Sequence, residues 1–185
     1  MIPNPPFMKK TSPLLALALI AFLFTTSFAQ TVNQTLITEP VKYNDFIVEQ
    51  QNLIGDKLLQ LIQVFQDAQS TKDEATASLE LVNGAIGLAL SNLSGLSPIE
   101  DHGLKQKATD LFLFYQRTMQ SKYPLLINQV YSESPDQEEI NRILTDVTAE
   151  EKGYDDSFQE AQTNFAAANN FSLEENRLQK EINKE

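Results

Sequence analysis

The sequence predicts an all-α protein, an up-down four-helix bundle with long helices that follows an N-terminal signal peptide. Three observations carry that prediction. Apolar residues at Ile140, Ile143, Leu144, Val147, Tyr154, Phe158, Ala161 and Phe165 recur in steps of three and four, broken only by Glu151 at the seam position, which is the spacing of one helical stripe. Three earlier segments of similar length show the same pattern, and a stripe of about four turns needs facing surface from other helices to leave water. Breaker sequences separate the segments, Ser94-Gly95-Leu96-Ser97-Pro98 most clearly, with the short connections an up-down topology uses.

Residues 1–29 read as the export signal. Lys9 and Lys10 precede an unbroken apolar run from Leu14 to Phe24, and Ser27-Phe28-Ala29 sets small residues at the -3 and -1 positions. Cleavage is expected between Ala29 and Gln30. The apolar run, at about 1.5 Å per residue, covers roughly half of a ~30 Å hydrocarbon core, which disfavours a retained span. Met8 stands directly before the two lysines, where such a signal normally begins.

Cleavage leaves 156 of the 185 residues, enough for one core, and takes two lysines with it, so 12 basic residues face 25 acidic ones for a formal charge of -13. Such a surface repels nucleic acid and anionic headgroups, so neither is an expected partner, and no stable membrane span is expected after cleavage. There is no cysteine. A signal followed by a cysteine-free chain points to bacterial export, to the periplasm, cell surface or medium, and removes lipoprotein anchoring. Asn33, Asn92 and Asn170 each open a glycosylation triplet, a motif short enough to arise by chance.

In order, residues 30–39 are polar and without period, a flexible leader. Thr38, Glu39 and Pro40 then make a helix start, and Tyr43, Phe46, Ile47, Leu53, Ile54, Leu58, Leu61, Ile62 and Phe65 set the first helix over about 40–69. Residues 70–74 form a polar connection. A second helix over about 73–93 turns Leu81, Val82, Ala85, Ile86, Ala89, Leu90 and Leu93 inward; Gly84 and Gly87 inside it each cost about 1 kcal/mol relative to alanine, which predicts close helix approach there. The third runs over about 102–132 through Leu104, Ala108, Leu111, Phe112, Tyr115, Met119, Leu126, Ile127 and Val130, with Phe114 off that face. Pro124 removes the N–H that would bond the Gln120 carbonyl, which predicts a kink. Ser134, Pro135 and Gln137 have capping-box spacing and start the fourth helix near 135. Asn169-Asn170 ends it, and residues 172–185 form a short terminal helix or frayed tail. The bundle domain thus spans 40–171.

For chemistry the inventory is mostly negative. A di-iron site needs Glu-x-x-His on two helices, yet His102 is the only histidine and position 99 is isoleucine. One histidine and no cysteine also exclude multi-imidazole zinc, a Cys-His dyad and covalent haem. His102 lies between Asp101 and Gly103 with no nucleophile elbow. Ten acids between Glu133 and Glu160 make a solvated face. The adjacent pairs Glu150-Glu151 and Asp155-Asp156 point about 100° apart on a helix and do not chelate together; Glu100-Asp101 is the least poor calcium candidate. No catalytic residue, cofactor or metal is therefore expected. The candidate pocket is the apolar interior near the kink, lined by Tyr115, Met119, Tyr123 and Pro124, with Gly84 and Gly87 opening the facing helix.

Three stretches carry a family likeness: Phe158 to Ala166 (FQEAQTNFA) with Asn169-Asn170-Phe171, Ala108 to Tyr115 (ATDLFLFY), and Tyr43 to Gln51 (YNDFIVEQQ). Together they resemble a family of bacterial exported, all-helical surface proteins of unknown function. The resemblance implies export and an all-helical fold, and it transfers no active-site residues because its motifs are packing motifs. Pro124 departs from it, inside a helix the family leads one to expect continuous. These readings predict a non-enzymatic module that binds an unknown protein through a helix face or bundle end; the alternative is a carrier of a small apolar molecule or lipid.

Overall fold

In the computed structural model, which describes residues 37–173, 80% of the described residues are helical and no strand occurs among them. The helices are α1 (Pro40–Gln66), α2 (Lys72–Gly95), α3 (Leu104–Ser121), α4 (Tyr123–Val130) and α5 (Gln137–Ala168). Because α3 and α4 are one rod with a bend, four rods result, as the four stripes require. The signal with Met8, the Ala29/Gln30 cleavage point, most of the leader and the tail beyond Leu173 lie outside the described residues.

Each boundary has a local cause, and two differ from expectation. Pro40 opens α1, but the cap residue is Glu39 and no side chain caps it, so Thr38 is not the cap. The start of α2 is a full capping box: Glu74 N–H donates to Thr71 Oγ1 at 3.2 Å and Thr71 N–H donates to Glu74 Oε2 at 2.7 Å. At the start of α5 the cap is Asp136, whose carboxylate accepts from the N–H groups of Glu138 and Glu139 at 3.0 Å each. Ser134 is therefore not the cap and the frame starts two residues later; a charged acceptor at the positive helix end outcompetes a hydroxyl. The other end is a Schellman turn, with Asn170 at φ 55°, Phe171 N–H donating to Ala166 O at 3.1 Å and the Phe171 ring edge-on to Phe165 at 5.8 Å.

The bend falls where Pro124 demands it. Lys122 N–H still donates to Thr118 O and Leu126 N–H to Lys122 O, so helical bonding flanks the proline on both sides while the proline itself donates nothing. The result is a short α4 whose Tyr123, Leu126 and Ile127 turn into the core.

α1 lies along α2, α2 along α3 and α4, and these along α5, while α1 touches α3 and α5 only slightly. One hydrophobic cluster draws on all of them, centred on Tyr43, Ile54, Leu61, Ile86, Leu93, Leu111, Phe112, Phe158 and Phe165. Contacts across the rods fix their directions. Tyr43 near the start of α1 meets Phe165 near the end of α5, Gln50 pairs with Asn92, and Ser70 after α1 meets Tyr131 after α4.

Three placements need correction. Leu81 is 55% exposed and points outward. Gly84 and Gly87 are exposed, and a Cβ on either would meet nothing within 4 Å, so close approach inside the chain does not offset their cost. Phe114, set off the stripe by its spacing, is 2% exposed because α3 is flanked by α2 and by α5, which widens its buried face.

Candidate functional site

The polar chemistry concentrates where α3 faces α5. On α3, Lys107, Asp110, Phe114 and Arg117 recur in steps of three and four, and on α5 so do Glu150, Gly153 or Tyr154, and Ser157, so each set shares one side of its helix. Between them opens a cleft of about 300 Å³ lined by Lys107, Asp110, Glu150, Gly153, Tyr154 and Ser157. That is the lower end of the range for small-molecule pockets. Gly153 contributes by lacking a side chain: a Cβ there would meet nothing within 4 Å.

One wall is built by an aromatic and a cation. The Tyr154 ring stacks on Phe114 at 4.9 Å and 21°, and the Arg117 guanidinium donates to Tyr154 Oη at 3.0 Å while lying 5.8 Å from that ring's centroid. Asp110 accepts from the Gln106 amide at 2.8 Å. The pocket walls are thus held by contacts between ring, guanidinium and carboxylate, while its lining mixes both signs of charge.

Deeper in the same seam, Tyr115 Oη donates to Glu151 Oε1 at 3.3 Å. Burial pushes the Glu151 carboxyl up to about 7; the Tyr115 hydrogen bond opposes this, and the neighbouring Asp155 charge adds to it. Asp155 is raised too, by burial and then by Asp156. Burial is also the main cause that lifts the Tyr115 and Tyr123 phenols above their ordinary range, with the Glu151 charge next. Glu151, Asp155, Tyr115 and Tyr123 thus share one preference, for the protonated form.

The predicted pocket residues divide. Tyr115, Met119 and Tyr123 are 2%, 2% and 6% exposed and packed in the core, with Pro124 half-buried above them. Gly84 and Gly87 lie on the outer face of α2 and join no wall with them. The cleft uses none of the six. Its own residues escape a reading of the sequence because a polar position beside an apolar stripe looks like solvated surface; Gly153, a glycine inside a long acidic helix, is the available signal.

The remaining candidates have structural roles. Asp101 accepts from Tyr43 Oη, Gly103 N–H and Lys105 N–H, each at 3.0 Å, and so holds the first turn of α3 in place of a calcium ion. His102 beside it is exposed and left-handed at φ 51°. Among the described residues no group of three or more His, Cys, Asp or Glu is placed to hold a metal. No helix of the described residues is long and apolar enough to cross a membrane. Comparison with protein-family models, with curated proteins and with solved structures finds no match to this chain.

Proposed function

We propose that the chain is an exported, closed up-and-down four-helix bundle, and that it is a binding module which engages a partner protein through the α3–α5 face. The observation that carries this reading is the cleft lined by Lys107, Asp110, Glu150, Gly153, Tyr154 and Ser157, a recess between two helices whose Tyr154 is bonded to Arg117 behind it, residue types enriched in binding hot spots. Its mixed charge suits a polar side chain of a partner better than an apolar ligand, and Tyr115, Met119 and Tyr123 fill the interior that a lipid carrier would need open.

A photo-crosslinking residue at Ser157, introduced in the host, tests the proposal against the same residue at Leu125 on α4. The expected result is one discrete adduct at position 157, lost on Tyr154→Ala and absent at 125. Equal adducts at both positions overturn it. So does turnover in a broad hydrolase screen that disappears with Glu151→Gln or His102→Ala. Export itself is read from the amino terminus of protein recovered from the host, expected at Gln30.

A further inference from the structure

From Leu81 to Ile99 the chain carries no charged residue, although 21% of all its residues are charged. Much of that stretch is the outer face of α2, where Leu81, Gly84, Gly87, Leu88, Ser91, Ser94 and Gly95 are exposed. Leu81 and Leu88 are 55% and 53% exposed and stand two turns apart on one side of the helix. The other large exposed apolar side chains, Val41, Leu113, Leu125 and Leu173, stand singly on other elements, as is ordinary for a surface. Added Cβ atoms at Gly84, Gly87 and Gly95 would meet nothing within 4 Å, so the face is two leucine ridges separated by a flat floor.

We propose that this face of α2 docks on the same face of a second copy of the chain, in an antiparallel two-fold pair. The charge pattern selects the occupant. Two copies at a formal charge of -11 each repel wherever their acidic faces meet, and the outer face of α2 carries one acid, Glu80, which a two-fold axis near residue 86 sets opposite Asn92 of the other copy and not opposite an acid. The shape is self-complementary as well. A two-fold axis near residue 86 sets Leu88 of each copy over Gly84 of the other and Leu81 of each over Ser91 of the other, so every ridge meets a hollow. The mid-helix glycines, without compensation inside one chain, then have their close approach between two.

The pair is weak. The face runs from Ala77 to Gly95, about 27 Å at 1.5 Å per residue and ~10 Å wide, hence roughly 300 Å² per copy against about 800 Å² per partner in a stable complex. Such a pair forms only at high protein concentration. Because charge opposes the pairing, added salt strengthens it, the reverse of an association driven by ion pairs.

Sedimentation equilibrium on protein purified from the full-length gene, across about 10 µM to 1 mM, tests this independently of the α3–α5 cleft. The expected result is a mass that climbs from monomer toward dimer, and further at high salt. Leu88→Glu weakens association at least ~10-fold, one decade in Kd, with unchanged helical circular dichroism. The doubly substituted Gly84→Ala/Gly87→Ala chain, whose methyl groups fill the hollow, does the same, whereas Leu125→Glu on α4 leaves association intact. A monomer throughout the range overturns the proposal, and so does a dimer that Leu88→Glu and the double alanine substitution leave unchanged.

Discussion

The α1–α2 seam and the α3–α5 seam each bury polar groups beside the core, but in opposite chemical form. Between α1 and α2 the pair is neutral: Gln50 donates to Phe46 O at 3.1 Å and accepts from the Asn92 amide at 2.7 Å. Between α3 and α5 the pair is a phenol and a carboxyl, with Tyr115 donating to Glu151. An amide pair keeps its bonds at any ordinary pH. A half-buried carboxyl does not. The amide pair is thus indifferent to protons, and the seam that carries the cleft is coupled to them.

The largest effect that would break this contrast is on the core that both seams share. Phe158→Ala removes a ring that is 1% exposed and is expected to cost about 3–5 kcal/mol in urea unfolding; a cost below about 1 kcal/mol would mean that α5 is not seated on the common core. Next comes the proton-linked term. Glu151 holds its proton to about pH 7 when folded and releases it at its ordinary 4.5 when unfolded, so the folded state binds more protons in that window. Stability therefore falls as pH rises from about 4.5 to 7 and levels off above. Discounted for partial solvent screening, the loss is about 2 kcal/mol. Asp155 and Glu49 shift in the same direction and Glu139 in the opposite one, so the difference between the native chain and Glu151→Gln isolates the term. That variant should be more stable at pH 8, equal at pH 4, and flatter between.

Two smaller effects sharpen the contrast from the other side. Asn92→Ala leaves the Gln50 carbonyl oxygen without its amide partner and is expected to cost about 1–2 kcal/mol, by the same amount at pH 5 and pH 8; a cost that changes with pH would tie the two seams together. Thr71→Ala removes one half of the α2 capping box for about 1 kcal/mol, read as faster amide exchange confined to the first turn of α2.

Periodicity makes the rods legible and neighbours decide the rest. The stripe through Ile140 and Phe158 and the proline at 124 are enough for four rods and a bend, since 3.6-residue spacing and a missing N–H are local facts. How wide a buried face extends depends on how many helices surround it, so Phe114 falls outside the expected stripe and Leu81 inside it. The capping box at Thr71 and Glu74 is present in the residues but sits in what reads as a polar connection, while Ser134 with Gln137 has the right spacing and loses to Asp136. The cleft is not legible, because Lys107 and Ser157 become neighbours only when two helices are laid side by side. Glu151 is visible as a break in an apolar stripe; its raised proton affinity comes from burial between helices, with the Asp155 charge adding to it and the Tyr115 hydrogen bond opposing it.

Tyr43 packs on Phe165, and Phe165 on Phe171, so the first and last described residues leave the molecule from one end. The opposite end carries the Ser70–Tyr131 contact, with Ser70 Oγ and Tyr131 Oη 2.7 Å apart. Tension applied between Ile37 and Leu173 therefore does not shear the helices along their length; it parts α1 from α5 starting at the Tyr43 end, across a slight seam. The Ser70 and Tyr131 turns lie at the far end of the rods from that load and are the last contacts it reaches.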